Sequence, residues 1–520
     1  MRRIPCLLTC LLLASSAAAR AQAPALEARA AHAYQTAREA GPLALQAFLA
    51  QFPKGADLHV HLSGAVYAET FIRDAGEDGL CVDPALLSFA KPPCAAPLVP
   101  AARLSANLTT ADRDLYDRLI NSFSMRSFVP TSGFSGHDQF FATFDRFDGL
   151  SKSHAGEWVN EVASRAAAQN QQYLELMQTP RFSHAAQIAR EIGWNPNLAQ
   201  LRQALLDHGL RAEVDDDRNE VYSAESRRRH IEHCEMPHAA PACRVEIRSI
   251  YQVLRGFAPE QVFAQALLGF ETVQASLDPE SPGALQPGFV GINFVMPEDG
   301  FVSMRDYTLQ MKMLDYLHSV YPRVPISLHA GELAPGLVPP EGLRFHIRQA
   351  VELGHAQRIG HGVDVMYEDD APALLKELAK KHVMVEINLS SNEGILGIKG
   401  AAHPFPNYRA AHVPVALSTD DEGVSRNDIT HEDVRAALDY HLTYQDMKQL
   451  ARTGMEHNFL LGPSLWAAPD AFSTPAAACK AQPLGAEKPT ATCKAFLDTS
   501  DKAAAQWELE RRFRVFESKY

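Results

Sequence analysis

Four short motifs in this sequence of 520 residues hold side chains that can bind a metal ion or transfer a proton. In the first, His59 and His61 stand two residues apart, so in a β-strand both imidazoles project from the same face. The second ends in Glu332, three residues after a histidine, and the third has His361 between two glycines that let a ligand approach the backbone. The motifs span Asp57–His61, Ser327–Glu332, Arg358–Gly362 and Ser418–Asp421.

The mixture of donors favours a zinc site. Three neutral imidazoles and one carboxylate suit Zn²⁺ with a water in the open coordination position, although the pattern does not exclude iron or manganese. Neighbouring side chains on a strand diverge, so Asp420 and Asp421 are expected to have different tasks, one at the metal and one at a substrate. Without a metal or catalytic role, the histidines would be ordinary residues at strand ends or turns, and Glu332 would be a solvated acid. Asp420 and Asp421 would then cap the N-terminus of a helix.

The elements that must position these motifs alternate between strand-like runs and helical periodicity from about Lys54 to Leu461, which predicts parallel strands with crossover helices. Eight strands favour a closed (β/α)8 barrel of the TIM type over an open doubly wound sheet. The four motifs then lie at the C-terminal ends of different strands. The predicted strands are Ala56–Leu62, Tyr173–Met177, Arg244–Gln252, Gly288–Val295, Pro325–Ala330, Arg358–Val363, Val383–Leu389 and Val413–Ser418, and the clearest helices are Glu157–Gln169, Met304–Ser319, Gly342–Leu353 and Ala371–Lys381.

Two segments exceed a minimal barrel. An insertion at about residues 67–148 follows the first strand, and a Pro- and Ala-rich extension with a final helix occupies residues 462–520. We therefore expect an N-terminal helical segment at 22–53, a barrel at 54–461 and this C-terminal extension. Insertions after barrel strands surround the mouth where substrates enter. The aromatic run at Phe140, Phe141 and Phe144 favours core over pocket wall.

The first 21 residues resemble a secretory signal peptide. Arg2 and Arg3 precede an apolar run, and small residues follow it, so cleavage is expected before Gln22. Of 8 cysteines, Cys6 and Cys10 would leave with this leader. The other six lie in three pairs that are close in sequence, and a disulfide bond within each pair is favoured. Free thiols are the alternative. The pairs are Cys81 and Cys94, Cys234 and Cys243, and Cys479 and Cys493.

The charge and hydrophobicity of the sequence limit the binding partners that we expect. The formal charge of −13 repels phosphate backbones, so nucleic acid is not an expected partner. No run of eighteen apolar residues follows the leader, so we expect no membrane span after its removal. The sequence also lacks the cytidine-deaminase signature, the P-loop and the G-x-S-x-G elbow.

The order H-x-H, H-A-G-E, G-H-G and S-x-D-D resembles the adenosine deaminase family of metal-dependent barrel hydrolases, over about Lys54 to Leu461. The leader, the long insertion and the cysteines resemble its secreted, growth-factor-related branch. A further family-like piece is Ser390-Ser391-Asn392 after the seventh strand. The resemblance implies an exported enzyme, periplasmic or extracellular, that deaminates adenosine or 2′-deoxyadenosine to the inosine product and ammonia.

The resemblance also implies roles for particular residues. One zinc ion per chain would be held by His59, His61, His329 and Asp420. Glu332 would donate a proton to N1 of adenine, which is general acid catalysis. His361 would orient the attacking water and help to deprotonate it, and Asp421 would be the acceptor of a hydrogen bond at purine N7.

Two positions depart from the family pattern on the sugar side of the substrate. Ser63 stands where intracellular members have an acid that contacts ribose, and Met296 stands where a glycine N–H would meet purine N3. Both positions are therefore candidate substrate contacts of uncertain preference. The alternatives are a related barrel hydrolase that acts on another aminopurine derivative or a different amide, and a binding or signalling protein on a silent barrel. Whether the chain forms a homodimer is left open.

Overall fold

The computed structural model describes residues 25–105, 108–278 and 288–520. The expected leader at residues 1–21 and the expected mature start at Gln22 lie outside the described residues. Clustering of contacts divides the chain into two compact units. The larger unit comprises residues 57–168 and 173–432, and the smaller comprises the N-terminal part to residue 56, residues 169–172 and residues 433–520.

The strands form two parallel four-stranded sheets and one small antiparallel sheet. The strand β1 is buried at every position, as expected for a parallel strand covered on both faces. The strands are β1 Gly55–His61, β2 Cys81–Asp83, β3 Ser88–Ala90, β4 Val99–Pro100, β5 Gln171–Gln178, β6 Glu246–Leu254, β7 Phe289–Val295, β8 Ser327–Ala330, β9 Arg358–His361, β10 Met384–Ile387 and β11 Val415–Leu417.

The two parallel sheets join into a ring. Their strand orders are β1-β5-β6-β7 and β11-β10-β9-β8. At one seam the N–H of His61 donates to the carbonyl oxygen of Asp420 at 3.0 Å, and the N–H of Asp420 donates to that of His59 at 2.9 Å. At the other seam the N–H of Ile292 donates to the carbonyl oxygen of Pro325 at 3.0 Å. The predicted (β/α)8 barrel and its eight strands are therefore confirmed.

Helices alternate with the barrel strands, and several begin at clear local signals. Thr109 with Asp112 and Ser135 with Asp138 form capping boxes, in which each side chain accepts a backbone N–H of the other residue. The helices are α1 (residues 25–40), α2 Pro42–Leu49, α3 Leu62–Ala65, α4 Ala68–Glu77, α5 Thr110–Ser122, α6 Gly136–Arg146, α7 Ala155–Ala168, α8 Ser183–Ile192, α9 Leu198–Asp207, α10 Val214–Ile231, α11 Pro259–Leu277, α12 Phe301–Val320, α13 His346–Glu352, α14 Ala371–Lys381, α15 Leu389–Leu396, α16 Phe405–Ala410, α17 Glu422–Ser425, α18 Ile429–Asp439, α19 Tyr444–Glu456, α20 Ala491–Leu497 and α21 Asp501–Glu517.

Several predicted boundaries move by a few residues, and two of these shifts have a clear local cause. The strand expected from Arg244 begins at Glu246, because residues Pro241–Arg244 form a 3₁₀ turn. The helix expected from Gly342 begins only at His346, because Pro340–Leu343 is another 3₁₀ turn with proline at its start. In both cases a short proline-led turn takes up residues that the periodicity had assigned to the regular element.

The segment between β1 and α7 builds its own apolar core. Strands β2, β3 and β4 form the antiparallel sheet, and helices α4, α5 and α6 pack with it. Phe71, Phe123 and Phe140 are buried in this core, with Phe141 and Phe144 packed against it. The expectation that the aromatic run belongs to core is therefore confirmed.

In the smaller unit, a buried lysine on α19 joins α1 to α21. The Nζ of Lys448 donates to Oε2 of Glu27 and to Oε1 of Glu517, each at 2.6 Å. Phe48 and Phe516 pack edge to face nearby, with ring centroids 5.2 Å apart. In the described residues, no helix is both long enough and apolar enough to cross a membrane.

All three cysteine pairs are disulfide-bonded to their sequence neighbours, as the spacing predicted. The bonds join Cys81 to Cys94, Cys234 to Cys243 and Cys479 to Cys493.

Candidate active site

The donors of the four motifs meet at the C-terminal ends of the barrel strands. His59 and His61 lie on β1, His329 lies on β8, and Asp420 follows β11. One ligand atom from each of these four buried residues lies within 4.8 Å of all the others. The structure therefore brings together the whole predicted ligand set, from three strands that are far apart in sequence.

Each of the three histidines is held from behind by a polar side chain. The Nδ1 of His59 lies 2.6 Å from Oε2 of Glu386. A carboxylate oxygen accepts, so this nitrogen carries the proton. The Nδ1 of His61 lies 2.6 Å from Oε1 of Gln252, and this amide donates through Nε2 to Thr179.

The Nδ1 of His329 lies 2.8 Å from Oδ1 of Asn293. With an oxygen facing Nδ1 in every case, all three imidazoles carry Nδ1–H and direct the lone pair of Nε2 to the common centre. A hydrogen-bond partner at the far nitrogen fixes the tautomer and the ring orientation of a metal-ligating histidine.

The donor set fits a metal ion. The Nε2 atoms of His61 and His329 are 3.1 Å apart, and Oδ1 of Asp420 lies 3.3 Å from Nε2 of both His59 and His61. The buried Nε2 of His59 makes no hydrogen bond with any described residue. Burial lowers the pKa of His59, but Asp420 and Glu386 outweigh it and raise that pKa to about 10. Three imidazoles and a carboxylate around one point are typical of zinc.

Glu332 lies beside this cluster, two residues after β8. Its backbone N–H donates to Oε2 of Glu298 at 2.8 Å, and the N–H of Gly331 donates to Oε1 of the same residue at 2.9 Å. Gly331 has a φ of +78°, which glycine adopts without strain. Burial, together with the negative charges of Asp420 and Glu298, raises the pKa of Glu332 well above its ordinary value. This environment favours the protonated form of the carboxyl group.

His361 ends β9 with a φ of +70°, a conformation that non-glycine residues rarely adopt. Its Nδ1 lies 3.5 Å from Oε1 of Glu332 and 3.0 Å from Nδ2 of Asn392. Its buried Nε2 has no hydrogen-bond partner among the described residues. Burial lowers the pKa of His361 to about 3, so the ring is neutral.

Asp421 reaches across to the segment that follows β1. A Cβ at Gly64 would lie 1.5 Å from Oδ1 of Asp421, so only glycine leaves room for this carboxyl group. That oxygen is buried and has no hydrogen-bond partner in the described part of the chain. Burial and the charge of Asp420 raise the pKa of Asp421 well above its ordinary value.

The two sugar-side candidates differ from this buried set. Ser63 lies on α3 with an exposed side chain. Met296 follows β7, is 38% exposed and has a φ of +115°. Its Cε lies 3.1 Å from the point where a Cβ on Gly256 would stand, so the side chain lies over that glycine.

Several polar residues that support the site were not identified from the sequence. Glu386 binds His59 and also contacts Arg358, whose Nε lies 2.7 Å from Oε1. Arg358 reaches Oε2 of Glu175 at 2.6 Å. The available signal was a charged or amide side chain inside an otherwise apolar strand, because such a group is buried only with a partner. Gln252 and Asn293 show the same signal.

The family model and the curated relatives that match this chain agree with one another. Residues 290–464 match the family model of adenosine deaminase. The adenosine deaminase of Enterococcus faecalis is 35% identical over 138 residues, and that of Clostridium perfringens is 31% identical over 135 residues. Each match covers 26% of this chain and 37% of the relative. The chain therefore spans little more than a third of the length of the curated relatives it matches.

Two solved structures are similar at lower identity. An ADAL–IMP complex gives a TM-score of 0.49 at 20% identity, covering 80% of this chain and 94% of that one. An amidohydrolase from Burkholderia ambifaria with bound Zn gives 0.47 at 18% identity, covering 80% and 88%.

The fold and the donor cluster define a (β/α)8 barrel protein with a histidine-rich centre at the C-terminal ends of its strands. The family model covers three of the four motifs in full, and the first motif, Asp57–His61, lies outside the matched residues. Over residues 290–464 the chain is similar to the adenosine deaminase family.

Proposed function

We propose that the protein hydrolytically deaminates adenosine and 2′-deoxyadenosine to inosine and 2′-deoxyinosine, with release of ammonia, and that it uses one zinc ion per chain. The observation that carries this proposal is the convergence of three histidine Nε2 atoms and an Asp420 oxygen beside the buried Glu332, whose pKa is raised. Metal-assisted attack and proton donation are the two requirements for opening an aromatic aminopurine to water.

The zinc ligands in this proposal are His59, His61, His329 and Asp420. When bound, zinc supplies Lewis acidity that lowers the pKa of water from ~16 toward ~7. Elemental analysis tests the stoichiometry, and two tightly held ions per wild-type chain would overturn it.

Glu332 supplies the proton that the purine ring needs. As the water oxygen bonds to C6, the electron pair of the C6–N1 double bond moves to N1 and takes the proton of Glu332. The C6–N6 bond then breaks, N6 leaves as ammonia, and the C6 oxygen becomes a carbonyl. Of the two protons of water, one ends on ammonia and the other restores Glu332.

Asp421 binds purine N7 in this proposal, but as the donor. N7 of adenosine has a lone pair and no hydrogen, so a hydrogen bond there requires a proton on the carboxyl group. The raised pKa of Asp421 supports this protonated state. The sequence-based expectation, with Asp421 as acceptor, therefore has the wrong direction.

A second candidate is deamination of another aminopurine derivative. The exposed Ser63 and the strained, partly exposed Met296 favour it, because both lie where the sugar side would be recognised. The decisive experiment is ammonia release from a panel of purine nucleosides, nucleotides and bases. Fastest release from adenosine or 2′-deoxyadenosine supports the first candidate, and release from another member alone supports the second. If none of these compounds releases ammonia, the alternative of a binding protein on a silent barrel is supported.

We also propose export to the periplasm or the cell exterior. The leader-like residues 1–21 and the three disulfides support an oxidising compartment. The mature chain is then expected to start near Gln22. Intact-mass measurement should show a gain of six hydrogens on reduction, two for each disulfide. Free thiols in the unreduced, exported protein would contradict this.

A further inference from the structure

The position of the proton on His361 can be traced from a backbone amide. The N–H of Phe405 donates to Nδ1 of His403 at 3.1 Å. A backbone N–H is always a donor, so Nδ1 of His403 is an acceptor and its ring proton lies on Nε2. That Nε2 lies 3.0 Å from Oδ1 of Asn392, which accepts from it.

The same logic continues through Asn392. With Oδ1 turned toward His403, the amide nitrogen Nδ2 faces Nδ1 of His361 at 3.0 Å and donates to it. Nδ2 of Asn388 lies 3.3 Å from the same ring nitrogen and agrees in direction. Nδ1 of His361 is therefore an acceptor, and the neutral ring carries its proton on Nε2.

The surroundings of His361 keep this arrangement. Asn392, His403 and His361 are each at most 1% exposed, so water does not compete for these hydrogen bonds. The charged or titratable groups that face the ring include Glu332, Asp420, His59 and His329. Of these, Glu332 is the one close to Nδ1, at 3.5 Å, which is long for a hydrogen bond.

We propose that His403 and Asn392 are positioning residues that hold the proton of His361 on Nε2, so that His361 donates a hydrogen bond to the attacking water. This role rests on the proposed deamination. It differs from the sequence-based expectation that His361 helps to deprotonate the water, because an Nε2–H has no lone pair to receive a proton. A donor at this place instead directs an oxygen lone pair toward C6.

The tautomer is measurable without turnover. Histidine side chains labelled with ¹⁵N give distinct signals for protonated and unprotonated ring nitrogens, and the signals of His361 are those lost in His361→Asn. In the zinc-loaded full chain near neutral pH, we expect an unprotonated Nδ1 and a protonated Nε2. A protonated Nδ1 in the wild-type protein would overturn the proposal.

Asn392→Asp tests the relay itself. The new carboxylate accepts from both neighbours, so Nδ1 of His361 should gain a proton, either as the other neutral tautomer or as imidazolium. In both states the neutral Nε2–H donor is lost, and we expect kcat to fall about 10²–10⁴-fold, the scale of a wrong histidine tautomer in a serine protease. An unprotonated Nδ1 in this variant would contradict the relay.

The matched control is His403→Gln, whose amide Nε2 still donates to Asn392. We expect its His361 signals to keep the wild-type pattern, and a protonated Nδ1 in this variant would contradict the relay as well. If Asn392→Asp does not fold, the spectra of the wild-type protein and of His403→Gln still test the proposal. Failure of the proposed function is separable: wild-type protein with the expected tautomer but no ammonia release from any purine would overturn only the deaminase assignment.

Discussion

Two parts of the same barrel mouth are built very differently. At the metal-type cluster, His59, His61 and His329 are buried, and each has an oxygen from another barrel strand behind its Nδ1. At the two positions proposed for the sugar side, Ser63 is exposed on α3, and Met296 is partly exposed in a backbone conformation that suits glycine.

The difference separates chemistry from specificity. Rings held by partners on rigid strands are pre-oriented, so binding an ion requires little rearrangement. The exposed positions have no comparable support and can vary without disturbing the reacting groups. We therefore expect substitutions in the cluster to abolish the reaction and substitutions at the sugar side to change only which purine is preferred.

The largest effect should follow loss of a ligand. His59→Ala or Asp420→Ala removes a donor from a four-donor set, and we expect the loss of both tightly bound zinc and ammonia release. Metal analysis and an activity assay on the same samples test this. The control is His431→Ala, which removes an exposed histidine. Full zinc content in either ligand variant would break the proposed ligand set.

Glu332→Gln should have the next largest effect. The amide fills the same space but has no acid proton for N1, so turnover should fall about 10²–10⁴-fold, or roughly 3–5 kcal/mol of barrier. Zinc content should stay near normal, because Glu332 is not a proposed ligand. Glu341→Gln, at an exposed position, is the control. A fully zinc-loaded Gln variant with activity within a few-fold of wild type would remove the acid role.

Glu386→Gln should weaken metal binding while leaving the ligands in place. The amide accepts the Nδ1–H of His59 less strongly than a carboxylate, and loss of such a partner typically costs about 10–100-fold in metal affinity. Competition with a chelator measures this. Glu175→Gln is the matched control, since it also takes a carboxylate from Arg358 but lies away from His59. Equal weakening in both variants would assign the effect to Arg358 instead.

Met296→Gly should have the smallest effect of these substitutions. It tests whether the proposed sugar-side positions affect substrate preference without affecting the reaction. Glycine adopts a φ of +115° without strain and removes bulk from a position that is 38% exposed. We expect KM for nucleosides to change by less than about tenfold with kcat nearly unchanged. Steady-state kinetics on the substrate panel test this, and a large fall in kcat would place Met296 in the reacting centre.

Much of the barrel was predictable because its signals are local. Apolar runs such as Val383–Leu389, separated by helical periods, mark strands, and the motifs mark their C-terminal ends. The boundaries near Arg244 and Gly342 were wrong because 3₁₀ turns replace the regular element there.

The supporting residues were not predictable, because their partners are distant in the chain. Glu386 and His59 are 327 residues apart, and nothing local indicates that β10 offers its carboxylate to β1. The raised pKa of Asp421 depends on burial that only the folded structure provides. Gly64 had a weak signal, a lone glycine after a strand, but its reason is the nearby carboxyl group of Asp421.

We propose that one zinc ion in this cluster makes the protein an aminopurine deaminase. The most direct test adds zinc stepwise to chelator-treated protein while ammonia release from adenosine is followed. We expect activity to rise in proportion to zinc and to reach its plateau at one ion per chain. A fully zinc-loaded protein that releases no ammonia from adenosine or any other aminopurine would contradict the claim.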